Sequence, residues 1–143
     1  MYWWIGNGKL EKEVELYIRK KHAEKYIFLL GRKENVPDYY QAADLFFLPS
    51  KFEGLPVTGI EAQAVGLPMV VSDTVTNEMV YTDLVDYVSI ASPLSAWSDH
   101  LQAALSRNVR REAYAEQLKA SLFSDVKCVE RLMGIYQRML DGK

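Results

Sequence analysis

Ser50-Lys51-Phe52-Glu53-Gly54-Leu55-Pro56-Val57-Thr58-Gly59-Ile60-Glu61-Ala62-Gln63-Ala64-Val65-Gly66 follows one short apolar run, Leu45 to Leu48, and precedes another, Met69 to Val71. That succession reads as strand, loop, short helix and strand. The helix is expected from Val57 to Val65, with Gly66 closing it. At about 100° per residue, Glu61 falls near 40°, between Val57 near 0° and Val65 near 80°. Thr58 and Gln63 point elsewhere, so no coherent polar face accounts for Glu61. A carboxylate buried there needs a donor, either a protein group or a ligand hydroxyl. Glu53 precedes the helix across a Gly-Leu-Pro turn, beside the unpaired N–H groups of a helix amino end, where an anion such as diphosphate is favoured.

Three further runs have strand character: Tyr2 to Ile5, Ile27 to Leu30 and Tyr87 to Ile90. None alternates with polar residues, as expected of strands covered on both faces of a parallel sheet. Helical periodicity separates most of them. Leu10, Val14, Tyr17 and Ile18 form one face of a helix over Lys9 to His22. Asn35 can cap a short helix carrying Pro37 in its first turn and ending near Asp44. Ser92-Pro93 opens another, with Leu94, Trp97, Leu101 and Leu105 on one side. A last helix is expected over Asp125 to Leu140, capped by Ser124, with Val126, Val129, Leu132, Met133, Tyr136, Met139 and Leu140 as its stripe. Strands alternating with helices define the α/β class, with helices on both faces of a parallel sheet.

Composition narrows the function classes. The 143 residues suit one domain, since about 100 to 200 residues is usual and such a chain buries roughly two thirds of its unfolded surface without disulfides. Seventeen Lys and Arg against nineteen Asp and Glu leave a net charge of −2, which argues against a nucleic-acid partner. Cys128 stands alone, so the chain holds neither an internal disulfide nor a thiolate metal site, and a reducing compartment is the default. His22 and His100 lie among polar neighbours and read as surface residues, outside metal or triad chemistry. The apolar block Leu45 to Leu48 falls far short of the roughly 18 residues of a membrane span, and no targeting segment is recognisable. A soluble, cytoplasmic protein without bound metal is the expectation.

In an open parallel sheet a ligand lies beyond the carboxyl ends of the strands. The residues there are Gly6-Asn7-Gly8, Gly31-Arg32-Lys33, Ser50 to Gly54, and Ser72, Asp73, Thr74 and Thr76. Gly6 to Gly8 would admit a phosphate to backbone amides, although a tight turn needs glycine for structural reasons alone. The full dinucleotide fingerprint GxGxxG is absent, Glu11 standing at its third glycine, so NAD binding through this loop is disfavoured.

Glu53 and Glu61 make E-x7-E within Pro49-Ser50-x-x-Glu53-Gly54-Leu55-Pro56, followed by Glu61-Ala62 and Gly66-Leu67-Pro68. This resembles the donor-site signature of the family 4 retaining glycosyltransferases of GT-B fold. The similarity extends to Ile5-Gly6-Asn7-Gly8-x-Leu10, Phe28-Leu29-Leu30-Gly31, Tyr40-x-Ala42-Ala43-Asp44-Leu45-Phe46, and Ser72-Asp73 with Glu78, and so covers nearly all of the chain as far as Ile90.

The resemblance implies a Rossmann-like domain, the C-terminal half of such an enzyme, spanning residues 1 to 143 as one nucleotide-sugar-binding unit. By motif position Glu61 would accept hydrogen bonds from the ribose hydroxyls. Glu53, the catalytic candidate, would contact the donor sugar. Gly54, Leu55, Pro56 and Val57 would lie along sugar and diphosphate, Gly31 and Arg32 near the base, and Gly6, Asn7 and Gly8 near the phosphates. The donor would be a nucleotide diphosphate sugar, by family habit a UDP-sugar, with no metal or other cofactor, and the product a surface polysaccharide or glycoconjugate.

Where relatives carry a glycine-rich loop after the fourth strand, this chain has Thr74-Val75-Thr76-Asn77. The Arg/Lys diphosphate clamp and the N-terminal acceptor domain of the family find no match among these residues, so the chain is expected to be a fragment of the hexosyltransferase, inactive by itself. Peripheral attachment at the inner membrane would belong to that acceptor domain. An unpaired sheet edge or the C-terminal helix could support self-association. The alternatives are a non-catalytic nucleotide-binding module and a GT-B-fold epimerase or phosphorylase relative. Hydrolysis fits poorly, because glycosidases need two carboxylates at a set separation across the scissile bond.

Overall fold

A computed structural model describes residues 1–142. The chain forms two compact units, one from Met1 to Val36 and the other from Pro37 onward.

The first unit contains strand β1 (Tyr2–Ile5), helix α1 (Glu11–Lys20) and strand β2 (Ile27–Gly31). The strands pair in parallel, with a register shift between Trp4 and Ile5. Helix α1 is shorter than the expected Lys9 to His22. Its end is set by His22, whose φ of 54° reverses the chain. The amide of His22 then bonds Arg19 O at 3.0 Å and that of Ala23 reaches back to Ile18 O at 3.1 Å, which closes the helix as a glycine usually would. Ile18 is the only buried residue of α1. Trp3 and Trp4 are exposed, so the expectation of strands buried on both faces fails for β1.

The second unit carries helix α2 (Val36–Ala42, opening at the unit boundary), strand β3 (Phe46–Leu48), helix α3 (Val57–Ala64), strand β4 (Met69–Ser72), a short 3-10 turn at Asn77–Met79, strand β5 (Val85–Val88), and helices α4 (Leu94–Leu105), α5 (Glu112–Ala120) and α6 (Asp125–Leu140). Its sheet is parallel in the order β3-β4-β5, so β4 is central and all four of its residues are buried. Alternation along β4 sends Val70 towards α4, where it packs with Val88, Trp97 and Ala104 and is flanked by Leu45, Phe47 and Leu101. The rings of Phe47 and Trp97 meet edge to face at 5.6 Å. Met69 faces the other way, towards Gly59 of α3. Helices therefore cover both faces of this sheet, and each fully buried side chain of that size contributes about 1.5–3 kcal/mol.

Strand β5 begins and ends two residues earlier than the expected Tyr87 to Ile90. Its end is dictated by Asp73, whose carboxylate accepts the Ile90 amide at 2.9 Å and so takes that N–H out of any ladder. The Ile90 and Ser89 hydrogen bonds hold the Asp73 carboxyl below its ordinary pKa. Asp86 within the strand bonds His100 Nδ1 at 2.6 Å, so His100 is a half-buried partner of the sheet rather than a plain surface residue. Helix α5 was not anticipated. It buries no residue and is held through polar groups, among them Tyr114 Oη donating to Asp83 at 2.9 Å. Helix α6 starts as expected, the Ser124 hydroxyl accepting from the Lys127 amide at 3.1 Å. None of its apolar stripe is buried, with Tyr136 54% and Met139 71% exposed. No helix among the described residues is long and apolar enough to cross a membrane.

Candidate functional site

The loop after β3 is fixed from β4. Ser72, fully buried at the end of β4, donates its hydroxyl to the Ser50 carbonyl, and the Thr74 hydroxyl donates to the same oxygen at 2.8 Å. Ser50 in turn donates its own hydroxyl to Glu53 Oε1 at 2.7 Å. Glu53 is half-buried. Its carboxylate is thus anchored through one oxygen by a loop that two hydroxyls clamp, and the other oxygen carries no protein donor among the described residues. Ser72 and Thr74 hold the loop through side-chain to backbone bonds, and Ser50 holds Glu53 through a side-chain bond, none of which their sequence spacing announces.

Helix α3 starts three residues beyond Gly54. Pro56 is its N-cap, no side chain caps it, and its first turn contains no acidic residue. An uncapped helix start presents unpaired N–H groups and the positive end of the helix dipole. Next to it, Phe52, Leu55 and Val57 are 84%, 47% and 60% exposed. An apolar surface thus adjoins a half-buried carboxylate and the free amides of a helix start, groups able to meet an anion and its neighbouring apolar parts.

Glu61 corrects the sequence reading. It was expected to be a buried carboxylate, and it is exposed. The buried residues of α3 are Gly59, Ala62 and Gln63, which centre near 190° on the wheel that places Glu61 near 40°. The apolar neighbours Val57 and Val65 therefore flank Glu61 on the outward face. Of the two donors considered, the protein supplies one: Tyr40 Oη donates to Glu61 Oε2 at 2.9 Å. Tyr40 is buried and its ring lies against Phe46, centroids 6.0 Å apart. Burial first, then the hydrogen bond to Glu61 and the charge of Glu61, push the Tyr40 hydroxyl far above its ordinary pKa, so it stays a donor.

In the first unit, the loops after β1 and β2 are joined by Gly6 N donating to Gly31 O at 2.9 Å. Both glycines have positive φ, 128° and 67°, a conformation that other residues adopt only under strain. Gly6, Asn7 and Gly8 line a cavity of about 160 Å³ together with Trp4 and Glu11. Here the amino end of α1 differs from that of α3, because Glu11 and Glu13 already occupy its first turn. Arg32 is exposed. The two loops of this unit thus lie together, as do the two of the second unit. Among the described residues no group of three or more His, Cys, Asp or Glu could hold a metal ion.

A family model described as glycosyl transferases group 1 matches residues 3–121. The chain is 32% identical over 133 residues to the "putative glycosyltransferase EpsF" of Bacillus subtilis, which covers 92% of this chain and 35% of that protein. It is 28% identical over 149 residues to the "UDP-Gal:alpha-D-GlcNAc-diphosphoundecaprenol alpha-1,3-galactosyltransferase" of Escherichia coli, covering 97% of this chain and 37% of the relative. Among solved structures it superposes on the lipopolysaccharide outer core galactosyltransferase WaaB with a TM-score of 0.76 at 20% identity, over 95% of this chain and 40% of that one. Sucrose-phosphate synthase from Thermosynechococcus elongatus gives 0.77 at 17% identity, over 99% of this chain and 39% of that one. The fold is that of GT-B glycosyltransferases, and the chain spans little more than a third of the length of these curated relatives. The chain belongs to the glycosyl transferases group 1 family.

Proposed function

We propose that this chain is the nucleotide-sugar-binding domain of a retaining glycosyltransferase, taking a UDP-sugar and serving surface polysaccharide or glycoconjugate synthesis. The observation that carries the reading is the arrangement along one exposed stretch: a clamped Glu53, an uncapped helix start at Pro56 and Val57, and Glu61 on the outward face of the same helix. Glu61 accepts the ribose hydroxyls. The diphosphate lies at the start of α3, near Gly54, Leu55, Pro56 and Val57, where N–H groups and the helix dipole stabilise the charge that grows as the sugar leaves. Glu53 contacts the sugar, with its anchored carboxylate set for that contact in advance.

In the first unit, Gly6, Asn7 and Gly8 offer backbone amides to a phosphate, with Gly31 and Arg32 on the neighbouring loop. The acidic first turn of α1 weakens any anion contact there. UDP as the donor nucleotide and a lipid-diphosphate pathway draw support from the name of the Escherichia coli relative. Acceptor recognition belongs to a further domain, so the chain alone binds donor without transferring it.

Titration with UDP, GDP, ADP and NAD tests the assignment. UDP is expected to bind selectively, and Glu61→Ala to weaken it by about tenfold or more, the loss of hydrogen bonds to a charged group. A Glu61→Ala dissociation constant equal to that of the wild type removes Glu61 from the ribose.

A further inference from the structure

The Glu61 carboxylate sits on an exposed helix face, yet it is not free to turn. A carboxylate offers about four acceptor positions, and Tyr40 Oη takes one of them on Oε2 at 2.9 Å. Tyr40 is itself held on two sides. Its ring is buried against Phe46. The end of its helix is gripped by Arg111, whose guanidinium donates to the carbonyls of Gln41 at 3.1 Å and Ala43 at 2.6 Å. Those carbonyls lie in the last turn of α2 and just beyond it, where no intrahelical partner exists. Arg111 is in turn seated against Gly66, where an added Cβ would come within 2.6 Å of the Arg111 Cα. A rigid path therefore runs from Gly66 through Arg111 and α2 to a phenol that fixes one oxygen of Glu61.

An exposed glutamate that must order itself on binding gives up side-chain entropy. Anchoring one oxygen beforehand removes part of that loss and sets the direction of the remaining acceptor positions, which is preorganisation. A rigid carboxylate also discriminates: a ligand lacking its hydroxyl leaves the anchored acceptor unsatisfied, whereas a freely turning one relaxes into water. We propose that Tyr40 is a positioning residue that aims Glu61 at a vicinal diol, and that it thereby sets the preference for a ribose over its deoxy counterpart. The inference rests on the reading of Glu61 given above.

The test is titration of the chain with UDP and with 2′,3′-dideoxy-UDP. Wild type is expected to prefer UDP. Tyr40→Phe keeps the ring and is expected to reduce that preference by about three- to tenfold, the worth of one hydrogen bond, while leaving the dideoxy ligand unaffected. Should Tyr40→Phe fail to fold, Arg111→Lys, which loses the two-pronged grip on α2, is expected to reduce the preference in the same direction. An unchanged preference in the folded variant overturns the proposal, and so does an equal loss for both ligands, since that is how a merely structural tyrosine behaves. Glu61→Gln separates the two levels: if it lowers the preference and Tyr40→Phe does not, Glu61 keeps its ribose role and Tyr40 loses its positioning role. If neither wild type nor Glu61→Gln distinguishes the ligands, both readings fall together.

Discussion

Gln63 shows how much a single buried amide can organise. It is fully buried, and its Nε2 donates to Gly59 O at 3.0 Å and Met79 O at 2.9 Å. Its Oε1 accepts from the Tyr81 amide at 3.2 Å and the Thr82 hydroxyl at 3.0 Å. All four positions of the amide are satisfied, and the partners fix which end is nitrogen, since carbonyls can only accept. Gln63 thus ties α3 to the connection between β4 and β5, on the helix whose opposite face carries Glu61. Gln63→Leu preserves the volume and strands four polar partners, so unfolding free energy should fall by about 2–4 kcal/mol. A urea midpoint shifted by less than a quarter of that would show that the partners find water instead. Glu53, Glu61 and Gly66 stand out in the sequence by spacing, although Glu61 reads there as buried and is exposed. Their partners do not stand out. Tyr40 lies 21 positions from Glu61 and Ser72 lies 22 from Ser50, and pairings through space leave no periodic trace in one sequence.

Among the elements, α3 ends as its sequence requires. Gly66 has φ of 69°, its amide bonds Gln63 O at 3.0 Å, and the Leu67 amide bonds Ala62 O at 3.0 Å, the paired closure of a Schellman motif. The same glycine is also a contact, because a Cβ there would lie 2.6 Å from the Arg111 Cα and 2.9 Å from its carbonyl oxygen. Backbone cannot swing aside as the end of a side chain can. Gly66→Ala therefore combines left-handed strain of about 1–2 kcal/mol with overpacking of about 1–3 kcal/mol. Chemical denaturation should show a loss above about 2 kcal/mol. Only the strain component would remain if Arg111 could retreat, and a loss near 1 kcal/mol would report that. The elements with strong apolar runs, β1 to β4, were legible close to their ends. Strand β5 was misplaced because Asp86 lowers its apparent strand character while His100 makes that aspartate tolerable. Helix α5 escaped notice because its nine residues carry only Tyr114 and Leu118 as large apolar side chains, too short a stripe for a periodic signal.

At the scale of the whole molecule, apolar periodicity foretold the helix α6 but not its surroundings: its stripe is exposed among the described residues, because an amphipathic pattern sets which residues share a face and not what that face meets. Burial of tyrosines is the molecular property with a measurable consequence. Tyr81, which donates its hydroxyl to Ile60 O at 2.9 Å, has its pKa pushed up to about 12 by burial, and Tyr40 is displaced further in the same direction. Tyr2, Tyr87 and Tyr114 are raised as well, each chiefly by desolvation. A raised folded-state pKa means that the native chain holds protons that the unfolded chain releases from 10.0 upward. Stability from these groups is whole below that point and falls as pH rises from 10.0 through about 12. Urea midpoints are thus expected to agree at neutral and mildly alkaline pH and to drop above the ordinary tyrosine value. Tyr81→Phe removes one of the linked protons. It should start from a lower midpoint, for loss of the Ile60 hydrogen bond, and then lose less than wild type as the solution is made alkaline, so that the two curves converge. Parallel curves would mean that Tyr81 ionises alike in the folded and unfolded chain, and that water reaches its hydroxyl as readily as it reaches the exposed tyrosines.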